Sequence, residues 1–239
     1  MGEQVVIDRR FRGPLDSANG GYACGVVGTL VDAPAAEATL RIPPPLDTPM
    51  ERLALGDGSV ELRLAGEIVG EAKPAPALDL EIPEPPSFDQ AAAAGMACPW
   101  AGAHAYPECF TCGPHRDRPD GLHQLTGPID GREIVADTWV PVESDADAGG
   151  AVDDLLVWAA VDCPSGNGPI FFHRPENPVL LGRLTASLQE PVRVGERHVV
   201  FGWPVGRDGR KHFGGSVICR EDGTVCASAA GIWIERRPA

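Results

Sequence analysis

The chain has 239 residues, enough for one large domain or two small ones with an adequate core. Its formal net charge of −14 excludes a general nucleic-acid partner, since a phosphate backbone requires a basic face. No apolar run approaches the roughly twenty residues that a membrane span requires, so no membrane partner is expected.

In chain order, residues 5–11 read as an opening strand, followed by a turn at Asn19-Gly20-Gly21-Tyr22. Residues 20–31 begin with glycines and continue with small and β-branched side chains, poor material for an isolated helix. Two readings fit this stretch: a central helix wrapped closely by a curved sheet, or a buried strand. β-Patterned segments follow at 38–42, 50–55, 59–64 and 67–72, with Gly56-Asp57-Gly58 as a hairpin turn. Residues 74–107 are linker-like. Lys73-Pro74-Ala75-Pro76 and Ile82-Pro83-Glu84-Pro85-Pro86 carry too much proline for helix interiors or central strands. The alanine run at 91–94 allows one short helix.

A second block repeats the order of the first. It opens with a strand at 132–140, passes a loop at 145–150, and has a helix near 152–161. Asp153 and Asp154 suit the start of that helix because a carboxylate favours the positive end of the dipole. Ser165-Gly166-Asn167-Gly168 and His173 read as loop. Strands at 180–189, 197–203, 211–220 and 224–235 complete the block, the last two joined by Asp222-Gly223. The repetition proposes an α+β fold of two similar halves, with functional sites where they meet. The expected boundaries are 1–73 for the first half, 74–107 for the linker and 108–239 for the second half.

This order of elements resembles the double hot-dog fold of acyl-CoA thioesterase II and its thioesterase-like relatives. In that fold two tandem halves each wrap a curved antiparallel sheet around a central helix. Phe11-Arg12-Gly13-Pro14 followed by Asn19-Gly20-Gly21-Tyr22 is similar to the family's entry to its first central helix. Trp158-Ala159-Ala160-Val161-Asp162 is similar to the helix ending in the family's catalytic aspartate. Thr185-Ala186-Ser187-Leu188 resembles the strand that supplies a catalytic Ser or Thr, and residues 223–234 resemble the last strand pair. The resemblance covers most of the chain outside the linker. It has one departure. Where the family's last strand offers a glutamine to hold the attacking water, this chain has Ala227-Ser228-Ala229-Ala230-Gly231. Either another residue such as Ser228 substitutes, or the hydrolytic apparatus is incomplete.

The resemblance implies an acyl-CoA or acyl-carrier thioester, hydrolysed or only bound in a groove between the halves, with no cofactor. Asp162 is then the general base, Ser187 orients the same water, and Asn19 with Gly20 and Gly21 supplies donors for the oxyanion. Gly20, Gly21 and Tyr22 are the expected substrate contacts. The structural alternatives are a helix-end role for Asp162 before Cys163-Pro164, and simple capping for Asn19-Gly20-Gly21. The N-terminal residues lack the basic and apolar regions of a secretory signal, and the seven cysteines are odd in number. A cytoplasmic protein with mostly reduced thiols is expected, and exposed sheet edges in such a fold suit a homodimer.

Cys109-Phe-Thr-Cys112-Gly-Pro-His115 places two thiols and an imidazole on a short loop, with Cys98 and His104 upstream. Zinc accepts four such ligands, but a single CxxC without a second pair is a weak signal. The leading reading is a turn bent by Gly113-Pro114, and no metal is assigned. Arg207, Arg210 and Lys211, and Arg116 and Arg118, are basic groups suited either to coenzyme A phosphates or to solubility. The chain contains no Walker-type loop, dinucleotide-binding GxGxxG, HExxH or GxSxG.

Overall fold

The computed structural model describes residues 2–117, 119–146 and 149–237. Among the described residues eleven strands join into one antiparallel sheet, in the order β1-β3-β4-β5-β2-β8-β11-β10-β9-β7-β6. They are β1 Glu3–Val5, β2 Ala35–Leu40, β3 Met50–Ala54, β4 Val60–Leu64, β5 Glu67–Ala75, β6 Gly127–Pro128, β7 Val135–Trp139, β8 Val179–Leu188, β9 His198–Asp208, β10 Lys211–Arg220 and β11 Val225–Glu235. The helices are α1 Gly20–Gly28, α2 Phe88–Met96 and α3 Asp154–His173. The architecture is α+β. Among the described residues no helix is long and apolar enough to cross a membrane.

The strand order is similar on the two sides of the sheet's centre. Outward from the central β2–β8 pair, one side reads β2-β5-β4-β3-β1 and the other β8-β11-β10-β9-β7. In each, a helix precedes four consecutive strands that pair in the same order. The seam between them is antiparallel and short, from Ala36 opposite Ala186 to Thr39 opposite Arg183. The strands at 211–220 and 225–235 form the expected final hairpin, and β9 runs on to the Asp208-Gly209 turn.

Residues 20–31 resolve as helix, ending at Gly28, for a reason that propensity alone hides. Asn19 caps the start, its Oδ1 accepting from the Tyr22 N–H at 2.9 Å. Gly21, Gly25 and Gly28 recur at helical spacing along the face toward α3. A Cβ on Gly21 would lie 2.3 Å from the Asp162 Cβ, and one on Gly28 2.4 Å from the Trp158 ring. The absent side chains let the two helices touch backbone to side chain. Packing decides the conformation where intrinsic preference would not.

Two expectations are corrected. Residues 165–168 lie inside α3, which continues through Pro164 and Pro169 to His173. The glycines there serve close approach: a Cβ on Gly166 would strike the Trp233 ring, and one on Gly168 the Trp203 backbone. The sheet answers with Gly202 under the Pro164 carbonyl and Gly214 under the Ser165 carbonyl. Hydroxyls also tie the helix down, with Thr111 Oγ1 donating to the Ala159 carbonyl at 2.9 Å and Ser216 Oγ to the Val161 carbonyl at 2.6 Å. The opening strand is the second correction. It stops at Val5, and Asp8 caps a short 3-10 turn at Arg9–Phe11, accepting from the Arg10 N–H at 2.7 Å.

The expected linker is partly structured. Ser87 and Gln90 form a reciprocal capping box on α2, and Ala91 and Ala94 pack against Ile134, Ala136 and Phe201. The loop at 145–150 includes residues 147 and 148, which lie outside the described residues.

Replacing Gly21 by alanine is expected to destabilise the protein by about 1–3 kcal/mol through overpacking. An exposed helical glycine would instead gain up to about 1 kcal/mol from the same change. The midpoint of urea unfolding reads the difference, with Gly56→Ala, where nothing lies within 4 Å of the added Cβ, as the control. A neutral or stabilising Gly21→Ala would contradict the packing account.

Candidate functional site

A mostly apolar cavity of about 970 Å³ opens where the start of α1, the loop before β6, the middle of α3 and the ends of β8 and β11 converge. Trp100, Tyr106, Ile170, Leu181 and Trp233 supply its apolar wall. Asn19, Asp162, Asn167 and three cysteines supply the polar side. Pockets of this size and character commonly take small organic ligands.

Asp162 projects from α3 toward the start of α1 and is only 1% exposed. The Gly21 N–H, one of the orphan donors of the helix start, donates to its Oδ2 at 2.8 Å. The other carboxylate oxygen, Oδ1, is buried without a hydrogen-bond partner. Burial pushes the Asp162 pKa up to about 8, against the Gly21 N–H, which favours the charged form. Asn19 spends its oxygen on capping and turns Nδ2 toward Cys109 Sγ at 3.7 Å and Cys163 Sγ at 3.9 Å.

The structure brings together Asp162, Asn19 and Gly20, all on the cavity wall. Gly21 lies behind Asp162, its N–H fixing that carboxylate rather than facing a ligand. Tyr22 is not on the wall and stacks on Phe11 with ring centroids 4.0 Å apart. Ser187 is not gathered in either. The part of β8 on the cavity is 179–182, whereas the Ser187 Oγ donates to the Pro34 carbonyl at 2.7 Å. Ser228 sits opposite Ser187 across the β8–β11 pair and accepts from Gln189 Nε2 at 3.1 Å.

The cysteine loop folds differently from its sequence pattern. Cys109 and Cys112 meet Cys163 of α3, while His115 is largely exposed, its Nδ1 3.8 Å from Glu108 Oε1. His104 Nδ1 accepts from the Tyr106 N–H at 3.0 Å. Hydrogen bonds from the Cys112 and Cys163 thiols hold the Cys109 thiol well below its ordinary value, and those two are pushed up in turn. Sequence reasoning missed Cys163 and the aromatic wall. The available signals were the Asp162-Cys163 step and a Trp and Tyr inside a Pro- and Ala-rich stretch.

Of the basic groups, Arg116 is a buried clamp that donates to the carbonyls of Glu108 at 3.0 Å and Arg10 at 2.6 Å. Arg210 does line the cavity and donates to the Glu235 carbonyl at 2.7 Å. Arg118 lies outside the described residues.

No protein-family model matches the chain, and no curated protein matches it. Solved structures do. The tesB protein of Mycobacterium avium subs paratuberculosis superposes with a TM-score of 0.61 at 13% identity, covering 94% of this chain and 89% of that one. A candidate thioesterase II of Thermobifida fusca superposes with a TM-score of 0.60 at 14% identity, covering 98% and 92%. This is a hot-dog fold, shared with both structures. At such identity the likeness carries the fold and not the reaction.

Glu235, also on the cavity wall, accepts from the Asn177 N–H at 2.9 Å and lies 3.6 Å from His212 Nε2. His212 is fully buried, and burial, then the Arg207 charge, lowers its pKa against the pull of Glu235. The folded state therefore refuses a proton that the unfolded chain accepts. That contribution is complete above the ordinary histidine value of 6.5 and is lost as pH falls through and below it. His212→Asn is expected to flatten the fall in unfolding free energy between about pH 7.5 and 5.5. An unchanged slope would remove His212 from the acid response.

Asn19→Ala is expected to cost about 0.5–2 kcal/mol through loss of the helix cap, measured by chemical denaturation. Unchanged stability would mean that the Tyr22 N–H finds an equivalent partner.

Proposed function

We propose that the protein is a double hot-dog, with halves at 1–73 and 108–239 joined by 74–107, that binds an acyl thioester between the halves and hydrolyses it. The observation that carries this reading is Asp162, a buried carboxylate on the cavity wall with one oxygen fixed by Gly21 and the other unpartnered. Such a group suits a general base, because its free oxygen can hold a water while the fixed one sets its direction. In the proposed reaction this water attacks the thioester carbonyl and gives its proton to Asp162. The tetrahedral intermediate then expels the thiolate. Gly20, first residue of α1 and on the same wall, brings a helix-start N–H and the positive end of the dipole to the developing oxyanion. The apolar wall from Trp100 to Trp233 suits an acyl chain, and Arg210 suits an anionic carrier. The names of the two superposed proteins support the same substrate class.

A second reading has its own support. The chain lacks an amide at Ala229 and Ala230, and the Ser187 and Ser228 hydroxyls are committed away from the cavity. A protein that binds acyl thioesters without cleaving them fits those facts.

Hydrolysis of acyl-CoA substrates of graded chain length, with wild type and Asp162→Asn, separates the readings. The expected result is turnover that falls by about a hundredfold or more in the variant. Equal rates in both proteins would remove Asp162 from the chemistry. Tight acyl-CoA binding without turnover in wild type would establish the binding protein instead.

A further inference from the structure

Three thiols converge at the polar side of the cavity. Cys109 Sγ and Cys163 Sγ are 3.9 Å apart, and the ligand atoms of Cys109, Cys112 and Cys163 all lie within 4.8 Å of one another. A tetrahedral zinc with Zn–S bonds of about 2.3 Å sets its sulfurs about 3.8 Å apart. The trio is close to that spacing before any ion enters. Three sulfurs also occupy only three corners. All three residues line the cavity, as Asp162 does, which gives a fourth ligand a route to the ion.

The surroundings are those of a sulfur held as a ligand. Asn19 Nδ2 is aimed at two of the three sulfurs, at 3.7 and 3.9 Å. Donors around a thiolate stabilise its charge and orient it, the usual office of groups just outside a metal's ligands. The loop is also anchored by its own contacts. The Gly113 N–H donates to the Cys109 carbonyl at 2.9 Å, and a Cβ on Gly113 would lie 2.5 Å from that oxygen. Thr111, between the two cysteines, is anchored by its hydroxyl to α3 one turn before Cys163. Loop and helix thus hold a fixed relation across 54 residues of sequence. Beside them the unpartnered Asp162 Oδ1 is a buried acceptor without a donor, and a water on the open corner of an ion would supply one.

We infer that Cys109, Cys112 and Cys163 form a zinc site with three thiolate ligands, whose fourth position faces the cavity next to Asp162. Thiolates select zinc among the common divalent cations, and a set of three protein ligands with one open corner is the arrangement of sites that take water or a substrate atom. His115, Cys98 and His104 are not among the ligands. The inference is independent of the thioester reading, because its test reads the metal and not turnover.

The test uses the full chain purified under reducing conditions. Elemental analysis is expected to find about one zinc per chain in wild type and in Cys98→Ser, and a loss to a tenth or less in Cys109→Ser, Cys112→Ser and Cys163→Ser. Circular dichroism reports whether each variant is folded. A second measurement does not depend on the variants: Co2+ added to metal-free wild type is expected to give thiolate-to-cobalt charge-transfer absorption and intense tetrahedral visible bands. Wild type without zinc that also gives no cobalt spectrum would overturn the site. So would an intact mass two hydrogens low, with a Cys109–Cys163 disulfide in metal-free protein.

Discussion

The contact between α1 and α3 is the constraint on which the rest depends. Three glycines on one face of α1 leave no side chain between that helix and Trp158 and Asp162 of α3. The helices approach closely enough for a backbone N–H of one to reach a carboxylate of the other at 2.8 Å. Such an approach places a charge-bearing group where water is scarce, and the helix-start donor offsets part of that cost. If α1 were built from good helix formers, its side chains would push α3 away. The carboxylate would then lose its donor, and the core around Trp158 would open.

The same economy of side chains recurs where α3 meets the sheet. Glycines on the helix face tryptophans on the strands, and glycines on the strands face helix carbonyls. The helix is thereby seated on β9, β10 and β11 firmly enough to carry two internal prolines, with Thr111 and Ser216 hydroxyls bonded to its carbonyls. Seating α3 also fixes the depth at which Asp162, Cys163 and Asn167 stand. The cavity is what remains between this fixed helix, the seam strand β8 and the loop before β6.

Strands were the most legible part of the sequence, because period-2 patterning and Asp-Gly turns act locally. The hairpin of β10 and β11 and the segments 50–54 and 60–64 follow those signals closely. The helices were harder. Gly20–Gly28 has poor intrinsic preference, and residues 165–168 carry loop composition, yet both are helical because tertiary contact demands small residues there. In the site, Asn19 was legible as a cap before glycines, whereas Asp162, expected at a helix end before Cys163-Pro164, stands inside α3 because the helix continues through Pro164 and Pro169. Cys163 was not legible, since its meeting with Cys109 and Cys112 depends on how a loop lies across a helix. Ser187 shows the opposite limit. Its strand was read correctly, but a strand is long, and position along it decides which residues reach a cavity at one end.

Trp100 and Tyr106 belong to the stretch between α2 and β6, outside every strand, yet they close one side of the cavity. No ladder register depends on them. The enclosure therefore has walls of two kinds, one set by strand pairing and the other by side-chain packing alone, as where Trp100 meets Phe171 and Tyr106 meets the three cysteines. A substitution at either aromatic alters the shape of the space without removing a ladder hydrogen bond.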